Sequence, residues 1–266
     1  MIIIGEKINT TRKPARDAVE TRDAQAISAL AQAQAQAGAR YIDINAGTFV
    51  EDEPQRLAWL ARAAQQDAPL PLCVDSPNPL ALQAALDANA APDVLINSIT
   101  AERERWQAVL PLVCRYKAKV IALTMDDAGM PETVAQRVTI AHGLVARLTD
   151  AGVEPGDIFI DPLVRPIATG THYAQAAVQA MGEIKALYPA VHIACGLSNV
   201  SFGLPARKLL NQAFLVAAMQ AGMDGAILDP LDVRLMATLC AAQALLDQDE
   251  YCMAYIAAYR QGKLQV

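Results

Sequence analysis

Eight times along this chain a short apolar run gives way to a longer helical pattern, and that alternation constrains the fold more than any other feature. The runs expected as strands are Ile2–Ile4, Tyr41–Asn45, Pro71–Asp75, Val94–Asn97, Val120–Thr124, Ile158–Asp161, His192–Cys195 and Gly225–Leu228. The stretches expected as helices are Ala24–Ala37, Pro54–Gln66, Pro79–Ala88, Glu102–Tyr116, Thr133–Asp150, His172–Leu187, Pro205–Ala221 and Leu231–Asp247. Strand and helix in strict alternation imply parallel pairing. Eight such units within 266 residues match a (β/α)8 TIM barrel of the α/β class. The alternative, a doubly wound open sheet, lacks its G-x-G-x-x-G turn after the first strand. Glu250–Arg260 is left over as an additional C-terminal helix, capping the barrel or joining a partner. Gly38, Gly152 and Gly222 fall just after helical patterns, and Pro54, Pro79 and Pro205 near helix starts. No linker-like composition divides the chain, so residues 1–266 are expected to form one domain.

Composition narrows the function by exclusion. With 53% hydrophobic and 19% charged residues the chain can bury a large core. A net charge of -6 argues against electrostatic capture of nucleic acid. The apolar start Met1–Ile4 is broken at once by Gly5, Glu6 and Lys7, which is not a leader pattern. No stretch reaches the roughly 20 apolar residues of a membrane span, and a cytoplasmic location is expected. The five cysteines (Cys73, Cys114, Cys195, Cys240, Cys252) form no C-x-x-C pair, which suits a reducing compartment. His142, His172 and His192 are scattered, so no metal site is expected; His192 reads as a strand residue with a satisfied ring.

In a barrel of this kind the active site lies at the carboxyl ends of the strands. The residues closing the runs are Glu6 and Asn9 after the first, Asp43 and Asn45, Asp75, Asn97, Asp161, Asn199 after the seventh, and Asp229. Strand parity puts Asp43 with Asn45, Cys73 with Asp75, Leu95 with Asn97, and Phe159 with Asp161 on common faces, so Asp75, Asn97 and Asp161 are expected to converge in one mouth. Singly, each has a plainer explanation as a helix cap or turn residue, as in Asp75-Ser76-Pro77-Asn78. Together they imply a ligand, because clustered polar groups need partners. A carboxylate accepts two parallel hydrogen bonds from a ring N–H and an exocyclic amine, and a carboxamide serves a mixed edge. Pterins present that edge. A phosphate ligand would ask for more basic strand ends than Lys7, Arg12, Arg165 and Arg207 supply. Arg165 and Arg207 read either as rim contacts to a carboxylate tail or as solvated charges.

Gly5-Glu6-Lys7-Ile8-Asn9, Asp43-Ile44-Asn45, Cys73-Val74-Asp75-Ser76, Ile96-Asn97-Ser98, Leu123-Thr124-Met125 with Gly129-Met130-Pro131, Ile160-Asp161-Pro162-Leu163 and Gly196-Leu197-Ser198-Asn199-Val200-Ser201 occur in this order along nearly the whole chain. This pattern resembles the methyltetrahydrofolate:corrinoid protein methyltransferases, a family of the pterin-binding superfamily that also holds dihydropteroate synthase and the folate domain of cobalamin-dependent methionine synthase. Ser198-Asn199-Val200-Ser201-Phe202-Gly203 is especially similar to the methionine synthase form. Phe202 departs from the polar residue of the acetogenic branch.

The resemblance implies 5-methyltetrahydrofolate or tetrahydrofolate as substrate, with Asp75, Asn97 and Asp161 holding the pterin edge and Asn199 near N5. Gly196 and Ser198 would shape the same wall, and Glu6, Asn9, Asp43, Asn45, Arg207 and Asp229 would stand behind it or reach the folate tail. Asn199, Asp161 and Asp75 are the expected catalytic residues. The D-x-H-x-x-G cobalamin signature fails at all three histidines, where Ile140, Gly170 and Ala190 occupy the Asp position, so the corrinoid is expected on a partner protein. A homodimer is expected as well. The direction stays open between methylating a corrinoid protein and taking methyl groups from one during demethylation of an ether or methylamine. Two rivals are a dihydropteroate synthase-like enzyme and a noncatalytic folate-binding subunit of a demethylase. The first should carry an R-x-H near strand eight, where Asp229 to Met236 contains no histidine.

Overall fold

A computed structural model describes residues 1–264. Eight parallel strands, β1 (Ile2–Asn9), β2 (Tyr41–Asn45), β3 (Leu72–Asp75), β4 (Val94–Thr100), β5 (Lys119–Leu123), β6 (Ile158–Asp161), β7 (His192–Gly196) and β8 (Gly225–Leu228), close into a barrel in sequence order. Outside it run α1 (Lys13–Glu20), α2 (Ala24–Gln36), α3 (Glu53–Ala64), α4 (Pro79–Ala88), α5 (Arg103–Tyr116), α6 (Val134–Asp150), α7 (Tyr173–Leu187), α8 (Arg207–Gln220) and α9 (Val233–Leu245), followed by α10 (Met253–Arg260). Among the described residues no helix is long and apolar enough to cross a membrane.

The strands are apolar on both sides because both sides are covered. Ile42, Ile44, Leu72, Val74, Val94, Ile96, Val120, Ile158, Ile160 and Ile193 point outward into the core shared with the helices. Their neighbours Ile4, Tyr41, Cys73, Leu95, Ile121, Phe159 and Ala194 point inward and fill the barrel. Successive Cβ atoms alternate across a strand, so the residues two places beyond Cys73, Leu95 and Phe159 also face inward. Those residues are Asp75, Asn97 and Asp161. The apolar layer is therefore a floor, and the polar strand ends stand on it.

Three departures from expectation have local causes. First, β1 continues to Asn9, because its register against β2 shifts between Gly5 and Ile8. The Lys7 N–H, displaced from the ladder, donates instead to Gln34 Oε1 of α2 at 2.9 Å. A Cβ on residue 5 would stand 2.5 Å from that oxygen, so only glycine leaves room for it. Second, α1 was not expected: it buries only Ala15, Ala18 and Val19, too little for a clear period, although Pro14 in its first turn marks a helix start. Third, the C-terminal helix begins at Met253, since Tyr251 and Cys252 both have φ above +50° and form a separate turn. Helix α10 packs on α9, with Tyr251, Met253 and Tyr259 exposed.

Gly38, Gly152 and Gly222 all take positive φ just past helix ends, as their placement in the sequence requires. At the amino end of the barrel, far from the strand ends, His192 Nδ1 lies 2.9 Å from Asp224 Oδ2, which also accepts from Lys185. Its ring is satisfied there.

Candidate active site

The β-sheet register sets the central row of the site. Asn9 stands opposite Asn45, Asn45 opposite Asp75, and Asp75 opposite Asn97, so four polar residues from four adjacent strands share one level. The Asn45 amide is oriented at both ends: Oδ1 accepts from Gly47 N at 2.9 Å, and Nδ2 donates to Asp75 Oδ2 at 3.0 Å. Asn45 thereby fixes the Asp75 carboxylate. Asn9 instead accepts from Thr11 N and Oγ1 and shapes its own loop. Neither Asp75 nor Asn97 caps a helix; Asn78 caps α4, and α5 begins only at Arg103.

Beneath this row Asp43 is buried opposite Cys73, and its Oδ1 has no hydrogen-bond partner among the described residues. Burial and the nearby Asp75 carboxylate push its acid well above the ordinary range. Burial also raises Asp75 to about 6, against the pull of the Asn45 hydrogen bond and the Arg105 charge. Across the mouth, Asp161 is raised by burial to about 7, although backbone N–H groups of Leu163 and Gly196 draw it down; Leu163 N donates to Oδ1 at 2.7 Å.

Asp161 carries a stability consequence. Its folded-state pKa is about 7, while an unfolded aspartate titrates near ~3.9. The native state thus binds more protons between these values, and the Asp161 contribution to stability falls as pH rises through that window. We expect ligand-free wild type to lose thermal stability from pH 5 to pH 8, and Asp161→Asn to flatten that decline. Parallel melting-temperature profiles for the two proteins would contradict this.

The seventh loop supplies the remaining wall. Strand β7 runs into a 3-10 turn, Leu197–Ser201, which leaves Asn199 exposed at the mouth and Ser198 half-buried. A Cβ on residue 196 would come within 3.0 Å of Asn199 Nδ2, so Gly196 is what allows that amide to lie back over the strand end. Arg207 does not project into the mouth alone: its NH2 donates to Ser198 O at 2.7 Å and its Nε to Ser201 Oγ at 3.1 Å. It braces the turn carrying Asn199.

The other charged strand ends are paired. Lys7 Nζ contacts Asp229 Oδ2 at 2.9 Å, Arg12 pairs with Glu6, and Arg165 meets Glu132 at 2.5 Å. Glu6, Arg12, Ser198, Arg207, Lys208 and Asp229 line a hollow of about 220 Å³ beside the turn. Among the described residues no group of three or more His, Cys, Asp or Glu side chains is arranged to hold a metal ion.

Two arginines escaped the sequence reading. Arg137 is fully buried, with Nε donating to Pro162 O at 2.8 Å, one residue beyond Asp161. A signal for it existed: it occupies the same helical face as buried Ala141, Leu144, Val145 and Leu148, where a charge is out of place. Arg105 reaches the loop after β3 at Ser76 and the register break in β4 at Ser98. In sequence it is one of several charges opening an amphipathic helix, and nothing distinguishes it.

The mouth gathers carboxylates and carboxamides on an apolar floor. The profile of pterin binding enzymes matches residues 5–229, and the chain belongs to that family. Its place there is among methyltransferases. It is 40% identical over 266 residues to the methylcorrinoid:tetrahydrofolate methyltransferase of Eubacterium limosum, covering 99% of this chain and 98% of that one. It is 33% identical over 240 residues to the methionine synthase of Mycobacterium tuberculosis, covering 85% of this chain and 20% of that protein. Among solved structures, dihydropteroate synthase of Xanthomonas albilineans in complex with 7,8-dihydropteroate shares the fold, with a TM-score of 0.66, 23% identity and 92% coverage of both chains. A Yersinia pestis dihydropteroate synthase gives a TM-score of 0.69 at 16% identity, covering 92% of this chain and 94% of that one.

Proposed function

We propose that this enzyme moves a methyl group between N5 of tetrahydrofolate and the cobalt of a corrinoid carried by a separate protein. The observation that carries the reading is the joint placement of Asp75, Asn97, Asp161 and Asn199 at one mouth, in a chain 40% identical to a methylcorrinoid:tetrahydrofolate methyltransferase. Asp75 and Asp161 accept hydrogen bonds from the ring N–H and amine of the pterin, and Asn97 serves its mixed donor and acceptor edge. The partially exposed mouth leaves N5 open to the partner, whose cobalt gives or takes the methyl group as cargo.

The chain's own contribution is control of charge at N5. A tertiary amine leaves poorly unless it gains positive charge, and a secondary amine that has taken a methyl group must lose a proton. Asn199 has no titratable proton near neutral pH, so it steadies this charge through its amide as the charge develops. Proton traffic is assigned to Asp161 and Asp75, whose carboxyls titrate near neutrality, at about 7 and about 6. The direction favoured is from methylcorrinoid to tetrahydrofolate, as in the name of the 40% identical relative, downstream of an enzyme that demethylates an ether or a methylamine. A homodimer completes the proposal and is checked by light scattering.

The test mixes the purified protein with tetrahydrofolate and methylated corrinoid proteins, and in the reverse direction with methyltetrahydrofolate and their Co(I) forms. Enzyme-dependent interconversion of the methylcobalt and Co(I) spectra is expected. Folate binding with no spectral change against any corrinoid would instead favour the noncatalytic subunit.

A further inference from the structure

The geometry points to Arg105 as a positioning residue that holds the end of β3 and the register break in β4, and with them Asp75 and Asn97, in one fixed relation; this rests on the folate site proposed above. Arg105 lies in the first turn of α5, outside the mouth. Its guanidinium makes four hydrogen bonds, all to main-chain carbonyls. Nε and NH2 reach Ser98 O at 2.9 and 2.5 Å, NH2 also reaches Ser76 O at 2.9 Å, and NH1 reaches Pro77 O at 2.5 Å. Ser76 and Ser98 are the residues immediately after Asp75 and Asn97.

The strand register explains why a brace is needed there. The pairing of β4 with β5 slips between Asn97 and Ile99, so Ser98 falls at the break in the ladder. A carbonyl displaced from a ladder must find another donor. Arg105 supplies two. Within the sheet, Ser76 N donates to Asn97 O at 3.1 Å and ties the same two strands. The guanidinium fork closes the link from outside. Lysine cannot copy this, because its donors radiate from one nitrogen and cannot span three carbonyls in a plane.

The same residue carries a cation that acts on Asp75. The charged and titratable groups facing Asp75 are Asp43 from β2, Glu53 from α3, Arg105 from α5 and the Cys73 thiol on its own strand. Arg105 favours the ionised carboxylate and the acidic neighbours oppose it. Loss of the cation moves Asp75 to a higher pKa, so folate capture by the carboxylate sets in at higher pH.

The experiment measures tetrahydrofolate affinity from pH 5 to pH 8 by anaerobic fluorescence titration for wild type, Arg105→Ala and Arg105→Lys. Folding is checked by thermal melting. Arg105→Ala is expected to weaken binding roughly 10- to 100-fold, with the acid limb of the affinity profile moved up by about half a pH unit. Arg105→Lys keeps the charge but loses the fork, so it is expected to weaken binding with the limb in place. A folded Lys variant with affinity within about threefold of wild type overturns the proposal, however the Ala variant behaves. An Ala variant whose acid limb stays at the wild-type pH overturns the electrostatic part, since the cation would then not act on Asp75. Wild type that binds no folate overturns the site reading itself, which separates the two failures.

Discussion

Asn199→Ala is expected to slow methyl transfer roughly 10²- to 10³-fold while folate affinity stays within about threefold. The Asn199 side chain is exposed on a 3-10 turn anchored by buried Leu197, Val200 and Ser201, so removing it leaves no cavity. The turn does not depend on that side chain either. Arg207 holds it through Ser198 O and Ser201 Oγ, and Ser201 Oγ donates to Asn211 Oδ1 at 2.7 Å. What the variant loses is a dipole aimed at charge that exists only as the methyl group moves, which is differential binding of the transition state. Single-turnover rates and equilibrium titrations on the same preparation decide the matter. Equal losses in both would assign Asn199 to ground-state binding.

Asp75→Ala is expected to weaken tetrahydrofolate binding by about 100-fold or more at pH 7, because paired ring donors are left without an acceptor. The variant also strips Asn45 Nδ2 of the carboxylate it donates to. Wild-type affinity should itself fall as pH drops through about 7 and then about 6, where the Asp161 and Asp75 carboxyls in turn take up protons. Binding to each carboxylate then requires its proton to be removed, so the sign of the effect is fixed: tighter above, weaker below. Calorimetric titration of the variant checks the first expectation. Affinity within about threefold of wild type would remove Asp75 from the pterin edge.

Much of the barrel was legible because periodicity and punctuation are local. Seven of the eight expected strands differ from the observed ones by no more than a few residues at either end. Strand parity alone placed Asp75, Asn97 and Asp161 above Cys73, Leu95 and Phe159, and the inward layer contains those three residues. Sequence alone ends β1 at Ile4, because its continuation, Gly5-Glu6-Lys7, reads as a polar break. Only the shifted register and the reach of Gln34 from α2 make that segment a strand. The basic residues were legible as residues and not as contacts. Lys7 and Asp229 are 222 positions apart and meet because closure of the barrel brings β1 beside β8.

The sequence by itself determined the alternation of elements, the inward parity of the polar strand ends and the identity of the groups offered to a ligand. All three follow from spacing within a single element. Tertiary structure alone decided which carboxylates hold protons near neutrality, since desolvation depends on what the barrel packs around them. It also decided which arginines serve the site. Arg105, Arg137 and Arg207 each reach carbonyls of the residues adjacent to Asp75, Asn97, Asp161 or Asn199. A side chain's partner across the fold is fixed by closure and register, and no local pattern encodes either.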